Sequence, residues 1–394
     1  MHEAGLNTSS SPDELTAAQS LRDAISARSD EIEAAKQLPA DLVADLNANG
    51  LLSMTIPASL GGGERSPLEV LKVIEELAYA DSAAAWCAMI YLTTAVSSAQ
   101  LPEQWAEEIY RVNGKRPITA GATAPTGRAR RVDGGLEVTG RWAWGSGTHH
   151  ADWIVGGCMV EEGDDLLRFP TGAPAVHVVF FEKSQVKLHD NWDPSGMRGT
   201  GSVDFEVDKV FVPEGRWIVQ GSEQLTIDTP LYRYPFFGFF AACVAAIPLG
   251  IARRALDDFV GLARGKGTGR KSLAESSLTQ MEFGQANAQA EAARHYLFAV
   301  TAEVWESVSA GRDATDEQKR QLRLAATQAT TLAAQSVDRL YNAGGGTSLQ
   351  GYCSLQRHFR DVHVATQHRM VSTGLAQLAG AMALVEDHPG SPQL

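Results

Sequence analysis

Hydrophobic periodicity changes twice along the 394 residues of this chain, and few folds accommodate both changes. Residues 12–110 repeat apolar positions every three to four residues, residues 117–227 alternate every two, and helical spacing returns after Pro230. These two spacings are typical of helices and of strands with one buried face. The chain is therefore predicted to be an α+β protein, mostly α, in which a β domain separates two helical domains.

The same pattern sets the domain boundaries. We place an N-terminal helical domain with a disordered polar tail at residues 1–115, a central β domain at 116–228 and a C-terminal domain at 229–394. Long helices joined by short breaks are typical of an antiparallel four-helix bundle. The C-terminal domain contains four such segments, rich in Ala and Leu, at 235–264, 272–310, 316–343 and 354–385.

Charge and cysteine usage limit the possible partners. Lys and Arg total 34 against 47 Asp and Glu, a formal net charge of −13, which repels phosphate backbones and anionic membranes. Neither nucleic acid nor a membrane is predicted as a partner. The four widely spaced cysteines predict no metal site and no disulfide framework. The polar, acidic N-terminus does not resemble an export signal, and a cytoplasmic location is predicted.

One uncharged run tests the prediction that no membrane is involved. Residues 235–252 contain no charge over 18 positions, the lower limit for a membrane span. The run includes two prolines, and Arg233 and Arg253 flank its ends. A helix buried on all sides within a large core explains this run better.

Three local sequences, together with the domain order, indicate a specific protein family. They are GRWAWGSGTHHADW at 140–153, DPSGMRGTGSVDFEVDKVFVPEG at 193–215 and YNAGGGTSLQGYCSLQRHFRDVH at 341–363. In this order and spacing they resemble the acyl-CoA dehydrogenase superfamily, along nearly the whole chain. The resemblance implies the acyl-CoA dehydrogenase-like fold, a flavin between the β domain and the bundle, and a homotetramer.

The residue that dehydrogenases of this superfamily need for their chemistry is missing. They take the α-proton of an acyl thioester with a glutamate, because the transition state requires a base against the flavin. Alignment puts Arg369 at the position of that glutamate in many members and Phe240 at its position in a second subgroup. Neither side chain can take a proton. An acyl-CoA dehydrogenase whose base lies at an unaligned position stays as the alternative.

Two histidines, His363 and His368, lie near the missing glutamate on a presumed helix. A histidine after the Arg360-Asp361 pair resembles the two-component (group D) flavin-dependent monooxygenases. In that branch reduced flavin, FMN or FAD, comes from a separate reductase and reacts with oxygen. The resulting flavin C4a-hydroperoxide oxygenates a small, often aromatic substrate. The resemblance implies that His368 is catalytic and that His363 binds substrate; a histidine of the core or the surface is the alternative for each.

The WAWGSG motif supplies the second group of candidates. By similarity to the superfamily's Trp-Ile-Thr motif, Ser146 takes the place of the threonine whose hydroxyl meets flavin N5. Trp144 then takes the place of the indole that covers the flavin ring, and Gly147 binds cofactor through a flexible backbone. A plain strand that ends in a turn would explain the same three residues.

A glycine-rich loop and two hydroxyls complete the candidates. Gly344 and Gly345 are similar to the superfamily's G-G-x-G loop, which implies contact with the flavin, although a helix C-cap would use the same residues. Phenol-hydroxylating members carry a histidine after a tryptophan matched here by Trp86, and this chain has none there. Tyr91 and Thr94 are the nearby hydroxyls and are predicted to bind substrate.

The missing histidine leaves the substrate open. An indole, a sulfur or nitrogen centre, or a polyketide-like aromatic fits as well as a phenol. A non-catalytic scaffold that binds flavin or another ligand is a third hypothesis, from a different class of protein.

Overall fold

The computed structural model describes residues 13–113, 116–163, 165–170, 172–222, 224–268 and 271–385. Residues 1–12, which hold most of the predicted polar tail, lie outside this description. The described residues form helices, then a sheet, then helices. The predicted mostly α architecture is confirmed.

Helices make up the N-terminal part of the chain. They are α1 (Glu14–Ser26), α2 (Ser29–Ala35), α3 (Ala40–Ala48), α4 (Pro67–Ala80), α5 (Ser82–Ala95) and α6 (Glu103–Tyr110). Asp81 caps α5 by accepting the backbone N–H groups of Ala83 and Ala84. Helix α5 is apolar on every side, and all of its residues except Thr94 are buried. It therefore lies in the core rather than on the surface.

The sheet contains eight strands in the described part of the chain. They are β1 (Thr119–Val132), β2 (Gly135–Gly145), β3 (Trp153–Glu162), β4 (Asp165–Leu166), β5 (Val176–Glu182), β6 (Lys187–Leu188), β7 (Val203–Pro213) and β8 (Trp217–Val219). Their order is β6-β7-β2-β1-β3-β5-β8, with β4 paired to β3. Strands β1 and β3 are parallel and the other pairs are antiparallel. The candidate catalytic residue Ser146 lies at the end of β2, directly after Gly145.

Long helices return after the sheet. They are α7 (Pro230–Arg233), α8 (Phe236–Gly265), α9 (Ser277–Ser309), α10 (Asp316–Gly344), α11 (Ser354–Ala365) and α12 (Gly374–Leu384). A short hairpin of β9 (Gly267–Thr268) and β10 (Lys271–Ser272) follows α8. Helix α8 is the central one and packs against α4, α5, α9, α10 and α11.

The fourth predicted bundle segment is not a single helix. The prediction of one helix over 354–385 was wrong, because α11 ends at Ala365 and α12 begins at Gly374. Between them His368 is extended (φ −70°, ψ 131°), and its side chain accepts the N–H of Met370 at the start of a short turn over Arg369–Val371. This side chain stabilises the break by capping the turn, which places His368 in a connection and not on a helix.

Among the described residues, two stretches are long and apolar enough to cross a membrane by length and composition alone, Ser82–Gln100 and Phe236–Gly265. Their most apolar windows are 89% and 78% buried inside the chain. Core helices of large domains meet the same criterion. The apolar side chains of both stretches already pack against other parts of the protein.

Candidate active site

Ser146 and His368, the two residues predicted to be catalytic, meet at the side chain of Trp86. The indole Nε1 of Trp86 on α5 donates to Ser146 Oγ at 3.0 Å. The same indole lies edge-on to the imidazole of His368, with ring centroids 5.4 Å apart. Ser146 follows the end of β2, and His368 follows α11. The N-terminal helices, the sheet and the C-terminal helices thus each contribute one member of this cluster.

His368 is held as a neutral hydrogen-bond donor. Burial lowers the pKa of its imidazole to about 4, and the nearby charge of Arg323 adds to this effect. Its Nδ1 accepts the N–H of Met370 at 3.3 Å, so the neutral ring carries its proton on Nε2. Nε2 has no hydrogen-bond partner among the residues that the structure describes. A second aromatic ring, that of Phe240, packs edge-on at 5.4 Å.

Ser146 belongs to a short chain of buried hydroxyls. Its Oγ lies 2.6 Å from Ser202 Oγ, which lies 2.7 Å from Thr200 Oγ1. Because Ser146 accepts a hydrogen bond from Trp86, its own proton is left for Ser202 or for an acceptor on a ligand. The two partners, Trp86 and Ser202, hold the Ser146 hydroxyl in one position.

Trp144 and Gly147 flank Ser146 and have unusual backbones. The Trp144 side chain is 74% exposed, and its φ of 62° lies in the left-handed region, which costs a residue with a Cβ about 1–2 kcal/mol. Gly147 has a φ of 70°, and a Cβ there would lie 2.5 Å from the ring of Tyr91. The turn therefore needs glycine at 147 and presents the indole of Trp144 to its surroundings.

Tyr91 and Thr94 have partners within the protein. Tyr91 is fully buried, and its hydroxyl donates to the Gly147 carbonyl at 3.1 Å. Thr94 Oγ1 lies 2.7 Å from the carbonyl oxygen of Thr119 on β1. Both side chains thus hold the sheet against α5. Their contact with substrate stays a prediction.

His363 faces a different part of the molecule from His368. Its Nε2 lies 2.8 Å from Asp338 Oδ1 on α10, and its ring packs edge-on to Phe359 at 4.6 Å. Its contacts are therefore with α10 and with its own helix. A role for His363 in substrate binding stays a prediction.

The glycine-rich loop ends α10. The Gly344 carbonyl accepts a hydrogen bond from Lys266 Nζ at 2.7 Å, and a Cβ at Gly344 would overlap Ser348 Oγ. Gly345 combines φ 59° with ψ −149°, a conformation open essentially to glycine alone. The backbone thus needs both glycines at the helix end. Their contact with a flavin stays a prediction.

The two positions where the superfamily places its glutamate meet at His368. Phe240 contacts the imidazole, and Arg369 is the next residue in the chain. The sequence has no Asp or Glu in 230–254 or in 362–384. The imidazole of His368, whose Nε2–H has no partner among the described residues, therefore lies beside both positions at which acyl-CoA oxidation needs a carboxylate.

Arg323 is a site residue that the sequence did not indicate, and Trp86 was indicated only by its match to the tryptophan of phenol-hydroxylating members. Trp86 is one of many apolar residues on a buried helix, and nothing in its spacing marks it as a partner of Ser146. Arg323 on α10 is 1% exposed and influences the pKa of His368. Helical spacing could have indicated that Arg323 is buried, because it puts this residue on the same face of α10 as Ala326 and Thr330, which are buried.

The chemistry of these groups fits a flavin. Its ring system offers nitrogen and oxygen acceptors and two flat faces. The Nε2–H of His368 and the hydroxyl of Ser146 are donors without another fixed role, and the exposed indole of Trp144 can cover a flat ring.

Comparison with known families agrees with this site. The family model described as "Acyl-CoA dehydrogenase, N-terminal domain" matches residues 14–109, and "Acyl-CoA dehydrogenase, C-terminal domain" matches residues 242–373. The chain belongs to the acyl-CoA dehydrogenase family.

Relatives in this family are monooxygenases. Indole-3-acetate monooxygenase of Pseudomonas putida is 32% identical over 358 residues, which cover 90% of this chain and 90% of the relative. The oxygenase subunit HsaA of a flavin-dependent monooxygenase from Rhodococcus jostii is 27% identical and covers 86% and 90%. The predicted membership of the monooxygenase branch is confirmed, and this family member is a flavin-dependent oxidoreductase.

Solved structures share the fold over the whole chain. The 3-HSA hydroxylase from Rhodococcus sp. RHA1 has a TM-score of 0.87 at 24% identity, covering 98% of this chain and 100% of its own. XiaF from Streptomyces sp., in complex with FADH2 and glycerol, has a TM-score of 0.86 at 21% identity and covers 96% and 97%. TdsC from Paenibacillus sp. A11-2, with FMN and indole, has a TM-score of 0.79 at 21% identity and covers 94% and 96%.

Proposed function

We propose that this protein is the oxygenase component of a two-component flavin-dependent monooxygenase. It takes reduced flavin, FMN or FAD, from a separate reductase and uses oxygen to hydroxylate or oxygenate a small aromatic compound. The observation that carries the proposal is the neutral imidazole of His368, with a free Nε2–H, at the place where acyl-CoA oxidation needs a glutamate. The names of the relatives support the same reaction class.

His368 holds a proton at Nε2 and presents it as a hydrogen-bond donor. Reduced flavin, when bound, supplies the activation of oxygen. Because the pKa of His368 is about 4, its ring keeps the Nε2 proton without carrying a charge at neutral pH. It can donate a hydrogen bond to an oxygen atom beside it and stabilise negative charge that develops on that oxygen.

Ser146 and Trp144 are the residues that would hold the flavin ring. The Ser146 hydroxyl offers a hydrogen bond, and the Trp144 indole offers a flat apolar surface. Trp86 and Phe240 pack edge-on against the imidazole of His368 and cover part of it from water. Exclusion of water protects a reactive oxygen species until a substrate arrives.

An aromatic substrate suits the surroundings of the site. A cleft of about 760 Å³ opens beside α8 and is lined in part by Phe236 and Phe237. The rings of Phe236 and Phe240 are 6.1 Å apart, and Phe240 contacts His368, so an aromatic wall leads from the cleft to the imidazole. An indole ring is our first choice, since one relative is named for indole-3-acetate and one similar structure contains indole.

Rapid mixing tests the proposal. Protein loaded anaerobically with reduced FMN, or with reduced FAD, is mixed with oxygen while the absorbance is followed. We expect a transient spectrum, distinct from those of reduced and oxidised flavin, that outlives the one in free solution, and oxygenated product when an indole or a phenol is present. Reoxidation at the free-solution rate, with hydrogen peroxide as the only product, would contradict the proposal.

A homotetramer in the cytoplasm completes the proposed function. The side chains of Leu349 and Tyr352 are 60% and 82% exposed near the end of α10, and such apolar groups are suited to an interface between subunits. Light scattering after size-exclusion chromatography should give a mass four times that of the chain, and a monomeric mass would contradict the assembly. Cell fractionation tests the location, and recovery in the periplasmic fraction would contradict it.

A further inference from the structure

Arg323 is a buried cation without an acidic partner. It lies on α10 and is 1% exposed. Its Nη1 donates to the Phe237 carbonyl oxygen at 2.8 Å, and its Nε is buried with no hydrogen-bond partner. It makes no salt bridge within the part of the chain that the structure describes. By contrast Arg216, which is also buried, pairs with Glu182 at 3.5 Å.

A cation in this situation is suited to an anionic ligand. Burial of a charge is unfavourable unless the charge is paired, and buried charges are as a rule paired or bind a ligand. The guanidinium group carries donors in a planar fork that matches the two oxygens of a carboxylate. Arg323 is therefore a group whose partner is not supplied by the acidic residues in the described part of the chain.

Arg323 lies beside the proposed reaction centre. Its charge acts on the imidazole of His368, and the charge of Arg369 acts on Arg323 in turn. The hydrogen bond to Phe237 joins Arg323 to a residue that lines the cleft. Arg323 thus lies next to the aromatic wall that leads from the cleft to His368.

Other cations along the cleft already have acidic partners. Lys319, one turn before Arg323 on α10, lines the cleft and lies 3.3 Å from Asp316. Arg233 also lines the cleft and pairs with Asp228. Arg323 differs from both of them, because it is buried and its charge is not neutralised.

We propose that Arg323 binds the carboxylate of the substrate, so that the enzyme acts on aromatic compounds that carry a short acidic side chain. The inference rests on the proposed monooxygenase function and names the substrate class within it. The aromatic ring lies along Phe236 and Phe240, and the carboxylate pairs with the guanidinium. This pairing fixes which ring atom faces His368.

A flavin phosphate is the other anion that could reach a cation in such an enzyme. The position of Arg323 favours the substrate, because Arg323 bonds the Phe237 carbonyl, and the ring of Phe237 packs at 5.7 Å on the aromatic wall that leads to His368. The phosphate of a flavin is at the end of the ribityl chain, remote from the reacting part of the ring. The experiment below includes an arm for each source.

The test compares an acid with its neutral analogue. Indole-3-acetate and indole-3-acetamide are titrated into wild-type protein, Arg323→Met, Arg323→Lys and, as a control on the same helix, Arg320→Gln, with binding measured by calorimetry. Arg320 is a suitable control because it already pairs with Glu317. We expect wild type to prefer the acid, and Arg323→Met to weaken binding of the acid roughly 10- to 100-fold with little effect on the amide. Arg323→Lys should retain part of the preference.

Several outcomes would overturn the inference. Equal binding of acid and amide by the wild-type protein would overturn it, and this measurement needs no variant. The inference can therefore be refuted even if Arg323→Met fails to fold. An equal loss for acid and amide in a folded Arg323→Met also overturns it. Weaker binding of FMN, but not of riboflavin, by this variant would assign Arg323 to the flavin phosphate and overturn it as well.

Turnover of indole separates this inference from the proposed function. Indole has no side chain, so its oxygenation tests the monooxygenase activity alone. Oxygenation of indole together with equal binding of acid and amide would refute the carboxylate site and leave the function standing. Binding of the acid that depends on Arg323, without oxygenation of any aromatic compound, supports the site and refutes the function.

Discussion

The indole of Trp86 lies edge-on to the imidazole of His368, with ring centroids 5.4 Å apart. The same indole donates from Nε1 to Ser146 Oγ at 3.0 Å. One side chain on a buried helix therefore fixes two groups that come from the sheet and from the C-terminal helices. Loss of this side chain should disturb the relation between the two groups before it disturbs the fold.

Trp86→Phe tests this relation. Phenylalanine keeps an aromatic ring against His368 but removes the donor to Ser146, so we expect a several-fold lower product yield per flavin oxidised. Loss of one buried hydrogen bond should cost about 1 kcal/mol of stability. Trp105→Phe is the matched control, because Trp105 Nε1 donates to the Glu214 carbonyl at 2.9 Å in another cluster. An equal fall in yield for both variants would show that the effect is general.

His368→Ala should lower the yield of oxygenated product roughly 10²-fold or more, since it removes the hydrogen-bond donor at the site. His368→Gln retains an N–H donor and should recover part of the yield. His295→Ala is the control, because His295 is exposed on α9 and its ring contacts only Glu291 of the same helix among the described residues. The readout is product formed per flavin oxidised, with thermal unfolding measured in parallel. If His368→Ala forms as much product as wild type, His368 is structural.

The pH dependence of stability should report the neutral state of His368. Its pKa is about 4 in the folded protein and about 6.5 in an unfolded chain. As pH falls below about 6.5 the unfolded chain takes up a proton that the folded protein does not, so stability falls until about pH 4 and the effect then levels off.

The size of that loss is up to about 3 kcal/mol, from the difference between the two pKa values. Urea unfolding of wild type and of His368→Ala between about pH 4 and pH 7.5 measures it. We expect a smaller fall in stability with acid for the variant. Identical pH profiles would show that folding does not lower the pKa of His368.

Gly147→Ala should destabilise the protein by about 2–4 kcal/mol, because the position has a φ of 70° and a Cβ would lie 2.5 Å from the Tyr91 ring. Gly261 on α8 is a control of the same substitution, since a Cβ there meets no atom within 4 Å. Ala at Gly261 should raise stability by up to about 1 kcal/mol through helix propensity. Chemical denaturation measures both changes, and a stable Gly147→Ala would contradict the described turn.

Periodicity predicted the fold well where the segments are long. Helices α8, α9 and α10 lie where repeated apolar spacing placed them, and burial of the uncharged run in α8 follows from its composition. Strand β1 was harder, because TAGATAPTGRARRV contains Gly, Pro and Ala, which are poor strand formers. It forms because β2 and β3 pair with it on both sides, and that pairing is not local in sequence.

The break after α11 and the contacts within the site also depend on interactions that local sequence patterns do not encode. Helical spacing continues past Ala365, but a side chain bond from His368 to the Met370 N–H stabilises a turn instead. Motif position indicated His368 and Ser146 as candidates. Their contact through Trp86 depends on how α5 packs against the sheet, which the motifs do not encode.

The last prediction concerns acyl-CoA, whose oxidation is the main alternative reaction for this fold. Phe240 and Arg369 occupy the two positions of the superfamily's glutamate, and neither can take a proton. General-base assistance of typically 10²- to 10⁴-fold is therefore missing. Anaerobic mixing of the protein, loaded with oxidised flavin, with short, long and branched acyl-CoAs should leave its spectrum unchanged. Arg369→Glu restores a carboxylate beside His368, and weak bleaching by an acyl-CoA in this variant alone would show that a thioester can enter. Rapid bleaching of wild type would instead mean that a carboxylate elsewhere in the chain acts as the base, and the monooxygenase proposal would be wrong.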